Sequence, residues 1–397
     1  MTSLLPAGVA RDAHPPRFPG AEPGEPSLET WQDAPHNRWA FAHVAELVPT
    51  APIPRSAAPL PGRDRAGLDA LLDQLPDLAA RLEASYTDAL VVVRDGRVVA
   101  DHYREGIGPE TPHLLMSVSK SICGLTVGTL VDDGRLELGR RVDEYVPALA
   151  GSAYGDATIQ QVLDMTVDVD YDEDYRNPAS HVQAQDRVAG WRPRLADDPA
   201  DTYTFLATLR GGGRHGERFK YCSAGTDVLA WVVESATGLR YPDAVSQRLW
   251  SRLGCEHDAS ITVDQGGFGF ANGGISCTAR DLARVGELML GEGVLGGEPV
   301  VSPEWVRRTR DGGDPDAASG TVFQRVHPGG AYSNQWWITG SARGDYYAVG
   351  IHGQFIWVDP STGVVVAKFS SWPEPVTEQW NRVHAELFRD LCDAAGR

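Results

Sequence analysis

The chain has 397 residues, 42% of them hydrophobic, which is enough apolar material for a sizeable core and excludes a disordered protein. Its formal net charge of −18 repels phosphate backbones and anionic lipid, so neither nucleic acid nor a membrane surface is expected as a partner. The same field favours neutral or cationic small molecules.

In chain order, the first apolar stretch, Leu4 to Ala10, is broken by Pro6 and has no basic residues ahead of it, so no secretory leader is expected. No run approaches transmembrane length. Residues 1–66 are rich in proline and lack sustained periodicity, which predicts an extended arm wrapped over the fold and anchored by Trp31, Trp39 and Phe41. The spacing of Leu68, Leu71, Leu72, Leu75, Leu78 and Leu82 predicts a helix over Ala66 to Tyr86. A hairpin follows: Ala89 to Arg94, a turn at Asp95-Gly96, then Arg97 to Tyr103.

Ile122, Leu125, Val127, Leu130 and Val131 predict a helix over Ser117 to Val131, ended by a left-handed cap at Gly134. Helical patterns separated by polar loops continue to about residue 310. Strand signals return at Tyr346 to Val358, then a turn at Asp359 to Gly363, a strand from Val364 to Ser370, and a last helix from Glu378 to about Cys392. Strands at both ends around a helical middle predict an α+β fold: one antiparallel sheet flanked by helices, with a mainly helical domain inserted in it. The sheet part takes about 67–110 and 320–397, and the helical part about 111–319. The five cysteines, Cys123, Cys222, Cys255, Cys277 and Cys392, are odd in number and have no C-x-x-C spacing, which suits buried thiols in a reducing cytoplasm.

The residues with the clearest chemistry are Ser117 and Lys120 in H-L-L-M-S-V-S-K. At i and i+3 on a helix, their Cβ atoms lie about 5–6 Å apart, close enough for the amine to take the hydroxyl proton. Backbone N–H groups at a helix start can also receive an oxyanion. Lysine is scarce here: Lys120, Lys220 and Lys368 are the only three among 36 basic residues. Arginine holds its proton too tightly to act as a base, whereas a lysine in apolar surroundings can lose its own near neutral pH. Tyr221, in F-K-Y-C-S, is a candidate second proton carrier, with a phenol pKa expected to be depressed by a facing ammonium. Its alternative reading is a tyrosine packed before a helix.

Ser223 in Y-C-S-A-G imitates half of a G-x-S-x-G elbow, but Tyr221 stands at the first glycine position and no parallel sheet surrounds it. The histidines show no H-E-x-x-H or other ligand spacing, so no metal is expected, and no cofactor either.

Over nearly its whole length the chain resembles the serine β-lactamase-like superfamily. The likeness is to the class C β-lactamase and esterase branch, and within it to the 6-aminohexanoate-dimer (nylon oligomer) hydrolases. The resemblance is carried by P-H-N-R-W-A-F-A-H from Pro35, L-L-M-S-V-S-K-S from Leu114 and Y-C-S-A from Tyr221. It continues in G-F-G-F-A-N-G-G from Gly267, S-C-T-A-R-D-L-A-R-V-G from Ser276 and I-H-G-Q from Ile351.

The resemblance implies a penicillin-recognising fold, with Ser117 as acylated nucleophile, Lys120 as base, Tyr221 as proton shuttle, and the backbone N–H groups of Ser117 and Ile351 as oxyanion donors. It further implies that Asp186 receives a substrate amine, that Tyr175 assists the leaving amide nitrogen, and that Asn272 and Trp191 line the pocket. It also suggests a homodimer. Two departures matter. Tyr221-Cys222-Ser223 stands where much of the superfamily has Tyr-x-Asn, which puts Ser223 at the substrate. His352-Gly353-Gln354 replaces the Lys-Thr-Gly box whose lysine pairs with the penicillin carboxylate, so β-lactamase activity is not expected, and His352 is read as a strand residue bordering the cleft. Three functions stay open: an amidase for short linear amides with a free amine, a carboxylesterase of the same fold, and a catalytically silent binding or scaffold protein.

Overall fold

The hairpin predicted at Asp95-Gly96 forms one edge of the main sheet, because both residues take positive φ (50° and 74°), the pair that closes a two-residue turn between twisted strands. The structure is a computed structural model that describes residues 26–60 and 64–397. The leader reading of Leu4 to Ala10, and residues 1–25 and 61–63 of the expected arm, lie outside the described residues.

Thirteen strands are found among the described residues. They are β1 (Thr50–Ile53), β2 (Thr87–Arg94), β3 (Arg97–Tyr103), β4 (His113–Leu114), β5 (Ala259–Thr262), β6 (Ile275–Cys277), β7 (Val294–Leu295), β8 (Glu298–Pro299), β9 (Ala331–Ser333), β10 (Trp336–Ile338), β11 (Tyr346–Gly350), β12 (Gln354–Asp359) and β13 (Val364–Ser370). The main sheet is antiparallel throughout and runs β3-β2-β13-β12-β11-β10-β9, so the two ends of the chain pair at its centre. A smaller sheet, β1-β5-β6-β4, lies at the entry to the Ser117 helix, and β7 and β8 form a separate pair.

Side chains alternate across the main sheet with period two. Val91, Val93, Ile356, Val358, Val365 and Ala367 join one core, while Leu90, Val92, Phe355, Trp357, Val364 and Val366 join another. With both faces covered, the strands read as unbroken apolar runs. The helix Ala279–Leu290 packs against β2, β12 and β13 on one side, and the long C-terminal helix Glu378–Ala395 covers β2 and β13 with the second core.

Three sequence expectations change. The helix over Ala66 to Tyr86 is two short ones, Asp69–Leu72 and Leu78–Ala84, because Pro76 cannot continue the hydrogen-bond ladder. The strand over Tyr346 to Val358 is a hairpin, β11 and β12, folded at Ile351-His352-Gly353 with positive φ at His352 (61°) and Gly353 (92°). The described part of the arm is only partly extended: it contains helical turns at Asn37–Ala40 and Val44–Leu47, and β1 pairs with β5. Its three aromatic anchors are buried, as expected, against Leu114, Met116, Trp191 and Phe270. The Ser117 helix spans Val118–Asp132, and Gly134 takes the left-handed conformation after it.

Candidate active site

Strand β4 runs through Leu115 and Met116 into the helix Val118–Asp132, and Ser117 is the residue that caps that helix. Met116 has φ 48°, a conformation that costs a side-chain-bearing residue on the order of 1 kcal/mol and marks the sharp bend presenting Ser117. The end of β11 lies against this bend. A Cβ on Gly350 would sit 2.5 Å from the Leu115 carbonyl oxygen and 3.0 Å from the Ser117 nitrogen, so only glycine permits the approach. Ile351 follows at once. The Gly350 approach thus brings the chain leading to the Ile351 N–H against the backbone at Ser117.

Lys120 donates from Nζ to Ser117 Oγ at 2.8 Å and to the Asn272 carbonyl at 2.7 Å. Burial pulls its amine down from 10.5 to about 8, against the opposing effect of the Glu173 and Asp227 carboxylates and, more weakly, Cys222 and Asp186. An amine so placed can accept the Ser117 proton. Tyr221 completes the group: its phenol lies close enough to Ser117 for the two hydroxyls to influence each other, its ring stacks on Trp337 with centroids 5.7 Å apart, and Lys120 Nζ lies 5.2 Å from its ring centre. The expected depression of the Tyr221 phenol is not found. Burial, and then the Glu173 charge, push it upward, and the ammonium faces the ring rather than the hydroxyl. Tyr221 therefore keeps its proton in the resting site and can carry one only in exchange.

The remaining sequence candidates divide. Asp186, on the helix His181–Val188, is buried and its carboxyl is pushed up to about 6 by that burial, with Arg192 Nε 3.4 Å from Oδ2. The carboxylate expected to await a substrate amine thus already has a guanidinium beside it. Asn272 is tied to Asp227: its Nδ2 and backbone N–H both donate to that carboxyl, at 2.7 and 3.0 Å, while its carbonyl receives Lys120. Trp191 is buried against Trp31 and Phe270, with its indole N–H on Thr262. His352 is a turn residue rather than a strand residue. Its buried ring, pulled down to about 4 by desolvation, is neutral and fixed to the Trp372 carbonyl through Nδ1 at 2.8 Å. Tyr175 and Ser223 both turn their hydroxyls to Glu173.

Residues that sequence reasoning passed over complete the site. Glu173 lay hidden in an acidic run whose neighbours Asp172 and Asp174 are exposed. Asp227 carried a readable signal, a single acid on the otherwise apolar face of the helix Ser223–Thr237. It is fully buried, its carboxyl is pushed up to about 7 by burial, and Gln185 also donates to it. Among the described residues no cluster of three or more His, Cys, Asp and Glu could hold a metal ion.

The family model described as beta-lactamase matches residues 69–387. The chain belongs to the beta-lactamase family. Within it, the chain is 54% identical over 381 residues to a 6-aminohexanoate-dimer hydrolase of Paenarthrobacter ureafaciens, covering 96% of this chain and 97% of that protein. Among solved structures it resembles a Bacillus anthracis protein provisionally named a 6-aminohexanoate-dimer hydrolase, at 27% identity and a TM-score of 0.82 over 92% of this chain and 96% of that one. A family VIII carboxylesterase at 14% identity, covering 82% of this chain and 99% of that one with a TM-score of 0.60, shares the fold. The α+β, β-lactamase-like architecture expected from the sequence is the one observed.

Proposed function

We propose that the protein is a serine hydrolase that cleaves short linear amides bearing a free amine, of the 6-aminohexanoate-dimer kind, through an acyl-enzyme on Ser117. The observation that carries this is the 2.8 Å contact between Lys120 Nζ and Ser117 Oγ in surroundings that bring the amine down to about 8. Lys120 takes the hydroxyl proton as Ser117 Oγ bonds to the substrate carbonyl carbon, and the oxyanion is received by the Ser117 and Ile351 N–H groups. Tyr221 gives its proton to the leaving nitrogen and is reprotonated from Lys120. The C–N bond breaks, the amine leaves, and water attacks the ester on Ser117 by the same route in reverse roles. Identity to the Paenarthrobacter enzyme supports the substrate class.

A second reading, a carboxylesterase, is favoured by one observation: Arg192 already stands beside Asp186, which would have to serve a substrate ammonium. The deciding experiment compares linear amides and simple esters, with and without a terminal amine. No turnover of the 6-aminohexanoate dimer together with rapid p-nitrophenyl butyrate hydrolysis would move the assignment to the esterase. Loss of fluorophosphonate labelling in Ser117→Ala tests the nucleophile for both. The proposal includes a reducing, cytoplasmic setting, supported by five cysteines that are all free and buried, and a homodimer, supported by family resemblance. No helix among the described residues is long and apolar enough to cross a membrane.

A further inference from the structure

Glu173 reaches from the loop before the Asp186 helix onto the first residue of the helix Ser223–Thr237. One carboxylate oxygen accepts the Ser223 N–H at 2.9 Å. The other accepts two hydroxyls, that of Ser223 and that of Tyr175, the latter at 2.8 Å. A carboxylate can only accept, and a hydroxyl has a single proton. With both protons directed to Glu173, the Tyr175 and Ser223 oxygens have only lone pairs left for any other neighbour. Both oxygens belong to the surroundings of Ser117: Ser223 is two residues from Tyr221, and the Glu173 charge acts on both Lys120 and Tyr221.

We propose that Glu173 sets the preference for leaving groups that carry an N–H, by holding the Tyr175 and Ser223 hydroxyls as obligate acceptors toward the substrate. An amide nitrogen donates its N–H to such an oxygen, and the departing amine still has hydrogens to give. An ester oxygen brings lone pairs against lone pairs and gains nothing. Glu173 is thus a positioning residue acting through two hydroxyls. The inference rests on the Ser117 acyl-enzyme reading and adds the element that separates amide from ester.

The test uses two substrates with one acyl half, 6-aminohexanoyl p-nitroanilide and the p-nitrophenyl ester of 6-aminohexanoate, so that damage to Ser117, Lys120 or the oxyanion donors affects both and cancels in their ratio. In Glu173→Gln the anilide-to-ester ratio of kcat/KM should fall by about tenfold relative to wild type, the size of one or two lost hydrogen bonds. Equal losses on the two substrates would reduce Glu173 to a structural pin and overturn the proposal. If Glu173→Gln does not fold, Tyr175→Phe/Ser223→Ala, which removes both acceptor oxygens and keeps Glu173, must produce the same fall, and an unchanged ratio there overturns it equally. Fluorophosphonate labelling of wild-type Ser117 separates the two levels: absence of labelling refutes the nucleophile, whereas labelling with an unmoved ratio refutes only the role of Glu173.

Discussion

The pH dependence of Ser117 acylation follows from where Lys120 sits. At pH 7 an amine titrating at 10.5 is about 0.03% free base, whereas one at about 8 is about 9%, a gain of roughly 300-fold in competent base. The rate of fluorophosphonate labelling should therefore rise almost tenfold per pH unit up to about pH 7, more slowly above it, and level off beyond an apparent pKa near 8. Replacing Asp227 by Asn removes one of the carboxylates that hold Lys120 in its charged form, while leaving an amide in its place to meet Asn272 and Gln185. Because that carboxylate raises the Lys120 pKa, its loss must move the midpoint downward, by roughly 1 pH unit for an opposite charge this close. Glu173, whose charge acts on Lys120 more strongly, should move it in the same direction when made Gln. A wild-type midpoint near 10, or a midpoint in Asp227→Asn that stays fixed while the plateau falls, would refute the assignment of Lys120 as base in a field set by these acids.

Other outcomes follow from the same structure. Lys368 is fully buried in β13, donates to the Ser370 hydroxyl, and is pulled down to about 7 by desolvation, its one opposing charge, Asp88, being already bonded to Arg104 and His113. The unfolded chain then binds more protons between about pH 7 and 10.5, so stability should rise with pH across that window. Lys368→Met should remove this dependence and stabilise the fold at pH 7 by up to about 4 kcal/mol, which urea unfolding from pH 6 to 10 will measure; parallel curves for the two proteins would contradict it. Asp186→Asn should raise KM for amine-bearing amides roughly tenfold or more relative to amine-free substrates, and Arg192→Ala should lower it, as steady-state kinetics on the two classes will show. Trp31→Ala should cost about 3–5 kcal/mol in thermal or urea unfolding, because the indole is buried against Phe41 and Trp191 and donates to the Trp191 carbonyl.

What could be read in the sequence was local chemistry with a spacing rule. Asp95-Gly96 specifies its turn by conformation, and Ser117 and Lys120 are placed together by helix geometry alone. The failures are of two physical kinds. In Ala66 to Tyr86 and Tyr346 to Val358 an apolar pattern ran through a backbone break, at Pro76 and at His352-Gly353, that outweighed it. Strands β9 and β10 escaped because each has three residues and their turn, Asn334-Gln335, takes positive φ without a glycine to announce it. Glu173 was illegible for a different reason: Asp172 and Asp174 have the same chemistry, and only tertiary structure turns the middle residue inward while its neighbours face solvent. Asn272 was placed at the site by resemblance, but which of its atoms would reach Lys120, the backbone carbonyl, was not legible, because that contact is set by the tertiary fold and not by the side chain.

The acids of the site reconcile two demands that conflict. A base near neutral pH needs a lysine stripped of water, while recognition of a cationic amine needs carboxylates close by, and each of those acids makes the lysine a weaker proton acceptor by stabilising its charge. The structure separates the effects by partner. Asp227 is held by Asn272, and Asp186, on the helix His181–Val188, is paired with Arg192 in the loop that follows. Glu173 has its lone pairs taken by Tyr175 and Ser223. Desolvation then remains the largest influence on Lys120, and the amine settles at about 8 despite three neighbouring carboxylates. The fraction of free base and the preference for nitrogen leaving groups are consequently coupled through Glu173. A substitution there should change the pH midpoint of acylation and the amide-to-ester ratio together, whereas one at Asp227 should change the midpoint alone.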